Sequence, residues 1–354
     1  MQTLFCLRPA TRNIGNDIIY KATSEFLYRE FGDDISVVNI PALEGPQFGG
    51  ITAKQVFDAN RLASGLIVGG GNLFENGQLT IDSQALDALR VPLMLTGLSH
   101  GRIFSPSGEL VHRSDAMPAA KVRQLVEKSD VALVRDHATQ EILHSMGCEG
   151  VKVGGCPTLF MDANPEGHQH DGRILISVRH PGRMSVAPPL QWRSAEDVRR
   201  LIDALQAEYG DKILLVCHDY ADIEFAASFS GVPYMYYDEV EDYISALRNA
   251  RFTVGYRLHA FLPCVAFGTP SIHLSYDERG IAMVETAGMS DWEVKLQGAG
   301  DFLDDVMDRL KSLDSYHEAR HKAASTIQAL RDETISGMCH FADRVAGYTD
   351  GSGG

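Results

Sequence analysis

Nowhere does the sequence run apolar for the roughly 18 to 20 residues that a membrane-spanning helix needs, so no stable membrane insertion is expected. The opening stretch MQTLFCLRPATRN has no long apolar core and no small-residue cleavage site, and no signal peptide is read there. Cysteine is scarce. The six residues Cys6, Cys148, Cys156, Cys217, Cys264 and Cys339 are scattered and never form C-x-x-C. This spacing argues against a structural zinc site, so no metal is expected, and it fits buried free thiols in a reducing cytoplasm. Basic residues are outnumbered, 32 Lys and Arg against 47 Asp and Glu, for a formal charge of -15. Phosphate backbones need basic surface, so nucleic acid is excluded as the main partner. A small anion stays open, because it needs only a local group of cations. Neither G-x-G-x-x-G nor a Walker A loop occurs, and nothing in the sequence calls for a cofactor.

What is present is a chain of 354 residues with 44% hydrophobic and 22% charged residues, long enough for two globular domains. Short apolar runs at 2–7, 35–40, 65–68, 91–96 and 130–134 alternate with helical periodicity at 15–31 and 136–146. After the polar, turn-rich linker 162–172 the pattern restarts. Strands are expected at 173–178, 212–217, 251–255 and 271–275. Helices are expected at 194–209 (starting at Ser194), at 240–250 and at 258–267. A long helix, broken or continuous, is expected at 314–346, ahead of a disordered tail, DGSGG. Such alternation implies α/β architecture with parallel sheets covered on both faces. The sequence divides into an N-terminal Rossmann-like domain, 1–165, and a C-terminal one, 166–354, with a ligand cleft between them. In such sheets ligands bind beyond the carboxyl ends of the strands, so residues just after strands matter most.

Six segments occupy such places. Arg257-Leu258-His259 follows the run 251–255 and opens a helix, whose N-terminus attracts anions. Arg257 adds a planar fork for phosphate or carboxylate, and His259 adds a group that exchanges protons near neutral pH. The plain alternative is a salt-bridged arginine and an interior histidine. Arg179 and Arg183 lie in the turn after 173–178, as an anion site or a solvated basic loop. Gly70, Gly71 and Asn72 follow the run 65–68, where glycine lets backbone approach a ligand or simply makes a turn. Asp17, near a helix start, is either a helix cap or a cleft residue. Asp136 has the same two readings, while His100 lies in a small-residue loop beyond another strand.

Taken in order, Asn13-x-Gly15-x-Asp17, Gly69-Gly70-Gly71, Val134-Arg135-Asp136, and above all Arg257-Leu258-His259-Ala260 followed by Gly268-Thr269-Pro270 and Tyr276, resemble the polysaccharide pyruvyl transferase family over roughly 10 to 280. The resemblance implies two Rossmann-like domains in a GT-B-like arrangement, acceptor on the N-terminal side and donor on the C-terminal side. It implies phosphoenolpyruvate as donor, a sugar within a glycan or glycolipid as acceptor, and a pyruvate ketal as product. It carries donor binding onto Arg257 and His259, and onto Arg179. The chain departs from the family pattern at Cys156, where many relatives have aspartate before the proline, and at Asp277-Glu278-Arg279, where a lysine is often seen. On this basis Arg257, Leu258, His259, Arg179, Arg183, Gly70, Gly71 and Asn72 are the expected substrate-binding residues. His259 is the expected proton donor, and Asp17, His100 and Asp136 are the expected bases. The alternatives are a nucleotide-sugar glycosyltransferase, disfavoured by the lack of an acid between Arg257 and Asp277, and a non-catalytic member of a glycan-assembly complex. The acceptor sugar and the oligomeric state are not legible.

Overall fold

The computed structural model describes residues 2–45, 48–297 and 301–351. The apolar runs of the first half become β1 (Gln2–Arg8), β2 (Ile35–Pro41), β3 (Gly65–Gly71) and β4 (Leu93–Leu98). A small antiparallel hairpin follows, β5 (Ile103–Phe104) and β6 (Leu110–Val111), and then β7 (Val131–Val134) and β8 (Lys152–Val153). Between them lie α1 (Ile14–Phe31), α2 (Ala53–Leu62), α3 (Ser83–Asp87), α4 (Ala119–Lys128) and α5 (His137–Ser145). The six long-sheet strands are all parallel, in the order β2-β1-β3-β4-β7-β8.

The second half repeats the plan. Its strands are β9 (Ile174–Ser177), β10 (Ile213–Cys217), β11 (Tyr234–Tyr236), β12 (Phe252–Gly255), β13 (Ser271–Ser275) and β14 (Glu293–Lys295). They are parallel, in the order β11-β10-β9-β12-β13-β14. The helices are α6 (Pro188–Tyr209), α7 (Tyr220–Ala226), α8 (Val240–Asn249), α9 (Leu258–Phe267), α10 (Glu278–Thr286), α11 (Phe302–Leu310) and α12 (Asp314–Gly351). β3, β4, β9, β10, β12 and β13 are buried along their whole length. Unbroken apolar runs suit this burial, because a parallel sheet is covered on both faces. Strand order reverses between β1 and β3 in one sheet and between β9 and β12 in the other, which places the ligand-binding crevices there.

The structure departs from the sequence reading in several places. β3 continues through the three glycines rather than ending before them. α6 starts at Pro188, not Ser194; proline at the first helical position sacrifices only an N–H that has no helical partner. α12 is unbroken, and of the tail expected to be disordered, 352–354 lie outside the described residues. Cys339 is exposed, unlike the other five cysteines.

α12 ties the halves together. Near its start, Tyr316 packs edge-on against Trp292 at 4.9 Å between ring centroids. Arg320 donates to the carbonyls of Val265 (2.6 Å) and Ala266 (3.0 Å) at the end of α9. Its far end lies under the first sheet, where Phe341 and Val345 fill the space that a side chain at Gly65 would need. No helix among the described residues is long and apolar enough to cross a membrane.

β9 and β12 approach closely at their crevice. Gly255 pairs with Ser177, and a Cβ at Gly255 would lie 2.6 Å from the Ser177 Cβ and 2.8 Å from its N. Gly255→Ala is therefore expected to force the two strands apart and destabilise the protein by about 1 to 3 kcal/mol, as overpacking does. Urea denaturation checks this; an unchanged midpoint would show that the strands tolerate the methyl group.

Candidate active site

A cleft of about 740 Å3 opens between the carboxyl ends of the two sheets. Its C-terminal wall is built on the β9/β12 reversal. β12 ends at Gly255, and Arg257 takes the N-cap position of α9 in extended backbone, with no side-chain cap bond. Its guanidinium is thus free to turn sideways, where Nη2 donates to Asp219 Oδ2 at 2.7 Å and to Asp222. Burial opposes the charge on Arg257, yet the two carboxylates hold its pKa above the ordinary arginine value. Asp222 is itself fixed by the backbone N–H groups of His180 (2.9 Å) and His218 (3.1 Å). Asp219 caps α7.

Arg179 follows β9. It is half-buried, and it donates from Nε to the carbonyl of Arg183 at 3.0 Å. No carboxylate pairs with it among the described residues. Burial, with Arg257 close by, pushes its pKa below the arginine value. Two guanidiniums sharing a desolvated wall, with one of them uncompensated, constitute a standing demand for an anion. Arg183, Leu258 and His259 line the same cleft. His259 Nε2 lies 3.7 Å from Cys156 Sγ. Burial, with Arg135, Arg257 and His273 nearby, lowers its pKa to about 3, so the ring is neutral near pH 7.

The N-terminal wall is chemically different. Asn13, Asn16, Asn72, Asn76 and Gln78 face the cleft, together with Gly71, Thr11 and the arginines Arg12 and Arg135. Carboxamides offer donors and acceptors without charge, which suits hydroxyl groups. Gly71 has φ +86° and nothing nearer to a would-be Cβ than Asn16 Oδ1 at 3.9 Å, so its face stays open toward the cleft. Gly70 does not line it. At φ +69° its missing side chain makes room for Ile19 of α1.

The three expected bases are not on the cleft wall. Asp17 pairs with Arg8 at 2.9 Å. Asp136 caps α5, accepting from the Thr139 N–H and hydroxyl, each at 2.8 Å, and from Arg135 Nε at 3.3 Å. His100 is buried with neither ring nitrogen partnered, and burial, helped by His112 and Arg113, lowers its pKa to about 4. Position after a strand placed all three at the correct sheet edge. Capping at Asp136, ion pairing at Asp17 and burial at His100 keep their side chains off the cleft wall.

Conversely, Arg135, Asp219, His273 and Arg279 line the cleft, and sequence reasoning did not assign them to it. For His273 a signal exists: Ser271, His273 and Ser275 alternate with Ile272 and Leu274 along a buried strand, so one face of β13 is polar. Arg279 bridges the halves, donating to Glu75 Oε2 at 2.9 Å and pairing with Asp277.

His100, His259, His273 (about 4) and His218 (well below the usual value) are all held neutral, first of all by burial. On unfolding, each returns to a pKa of about 6.5 and binds a proton that the folded protein refuses. Their contribution to stability is therefore complete above about pH 6.5 and is lost as pH falls toward 4. Glu75, Asp197 and Glu293, raised by burial, pull the other way, three carboxyls against four histidines. The melting temperature is expected to drop between pH 7 and pH 5; a flat profile would contradict the neutral assignment.

The sequence model of polysaccharide pyruvyl transferase matches residues 13–278. No curated protein matches the chain. Among solved structures, the S. aureus MnaA–UDP co-structure is similar at 12% identity over 91% of each chain, with a TM-score of 0.54. A Methanocaldococcus jannaschii UDP-GlcNAc 2-epimerase in complex with UDP-GlcNAc and UDP is similar at 11% identity, over 88% of this chain and 92% of that one, with a TM-score of 0.53. These likenesses establish the fold, two Rossmann-like units in a GT-B-like arrangement.

Proposed function

The chain belongs to the polysaccharide pyruvyl transferase family, and from that premise we propose that this transferase moves the enolpyruvyl-derived group of phosphoenolpyruvate onto two hydroxyls of a glycan or glycolipid sugar. The observation that carries the donor assignment is the wall formed by Arg179, Arg257 and His259. A chain of net charge -15 gathers cations there and leaves Arg179 without a counter-charge. Phosphoenolpyruvate carries a phosphate and a carboxylate on one small frame, which matches two separate guanidiniums. The carboxamides of the opposite wall suit the hydroxyls of the acceptor. We place the acceptor on the 1–165 side and the donor on the 166–354 side, in the cytoplasm, where phosphoenolpyruvate is made.

The reaction needs one proton delivered to C3 of the enol and two removed from hydroxyls. A bound anion raises the pKa of a neighbouring histidine, so donor binding draws a proton onto His259. Transfer of that proton to C3 leaves an oxocarbenium-like centre at C2. The first hydroxyl adds there and gives its proton to the now neutral His259. The second hydroxyl displaces phosphate, which leaves with the last proton, and the ketal closes. Charge neutralisation by Arg179 and Arg257 stabilises the departing phosphate. Asp17, His100 and Asp136 support the cleft from behind in this scheme rather than acting as bases.

The test is a ligand screen. Phosphoenolpyruvate is expected to raise the melting temperature and UDP-sugars to leave it unchanged, and Arg179→Ala is expected to weaken phosphoenolpyruvate binding at least tenfold, about 1.4 kcal/mol. Stabilisation by UDP-sugars alone would replace this reading with nucleotide-sugar transfer. Binding with no phosphate release toward any glycan would favour a non-catalytic role.

A further inference from the structure

The cleft takes up only one end of the second sheet. At the opposite edge, where β12 and β13 begin, a second groove of about 520 Å3 is lined by Arg248, Arg251, Arg320, His168, His170 and His317. Among the described residues no Asp or Glu lines it, in a chain with 47 acidic residues. Two stretches that lead toward the first sheet form its walls: the linker, with Asn164 fastened through its N–H to the Phe267 carbonyl at 3.2 Å, and the start of α12.

Among the described residues none of the three arginines is ion-paired. Arg248 lies over the Phe267 ring at 4.5 Å and donates to the Asp162 carbonyl at 3.0 Å. Arg251 lies over Tyr209 at 5.6 Å. Arg320 caps the end of α9, whose carbonyls answer only part of a unit charge. A guanidinium on an aromatic face keeps its in-plane N–H groups for an oxyanion, and three such groups without a carboxylate leave a local positive field.

We propose that this groove is a second anion site, separate from the cleft, that holds a phosphate group. Arg251 and Arg248 are its principal contacts, and the histidines of the linker and of α12 close over it. The assignment stands independently of the reaction in the cleft.

The experiment follows the imidazole C–H resonances of the full chain during titration with inorganic phosphate. His168, His170 and His317 are expected to shift together in wild type. Arg251→Glu should weaken that response at least tenfold, and Arg251→Gln should weaken it less. The cleft residue His259 serves as the control: its spectrum must be unchanged in both variants, showing that they are folded. A parallel titration with glycerol phosphate separates the sources. Tighter binding than inorganic phosphate marks a phosphate ester as the occupant, and weaker binding marks the free ion. Resonances of the three histidines that do not move with either ligand, or that move equally in Arg251→Glu, would overturn the proposal.

Discussion

Arg257→Ala is expected to weaken phosphoenolpyruvate binding by about 2 to 5 kcal/mol, the usual loss when one partner of a buried charged contact is removed. Two effects add. The donor loses a guanidinium at the N-terminus of α9, and Asp219 and Asp222 lose the cation that separates their charges. The freed carboxylates then face the incoming anion, so the wall changes sign as well as losing a contact. Arg257→Lys should recover little, because an ammonium on a flexible stem cannot hold two carboxylates and also present an edge to the donor. A triple variant, Arg257→Ala with Asp219→Asn and Asp222→Asn, separates the effects: it should bind better than Arg257→Ala alone, and worse than wild type. Calorimetric titration measures all three. Wild-type affinity in Arg257→Ala would remove this arginine from the donor site.

The second large effect is on turnover. His259→Ala is expected to lower kcat by about 100- to 10,000-fold at saturating donor, the range for general acid–base catalysis, while donor affinity falls much less. The neutral ring of His259 makes a second readout available. If donor binding draws a proton onto His259, titration at pH 7 in buffers of different ionisation enthalpy should report proton uptake in wild type. His259→Ala should abolish it. Unchanged kcat in this variant would leave the anion site standing and remove the histidine from the proton path.

Legibility followed locality. Arg257, Leu258 and His259 were found because an apolar run, a glycine and a helix start are adjacent in the chain, and α9 begins where that pattern says. Arg179 was found in the same way after β9. Asp219 and Arg279 reach the cleft through the order of strands in the two sheets, which no local pattern encodes, whereas His273 is marked by the polar alternation along β13 and Arg135 by its place directly after β7. The error at α6 has a different origin. Ser194 with acids two and three residues later imitates a helix start, whereas the prolines at 188 and 189 occupy the true one, and proline more often reads as a terminator. Asp17, His100 and Asp136 show the limit of position alone. Following a strand fixes the edge of the sheet a residue occupies, but an ion pair at Asp17, a capping bond at Asp136 and burial at His100 decide whether its side chain reaches the cleft.

The path of α12 bears on how the molecule can be made. The first sheet holds an unfilled hollow over Gly65 until Phe341 and Val345 reach it, and those residues follow every strand of the second sheet in the chain. During synthesis the N-terminal half therefore waits, with β1 and β3 incompletely covered, while the later half is added. The usual order, in which domains fold one after another from the N-terminus, is closed to this protein: the half that is started first is the half that is finished last.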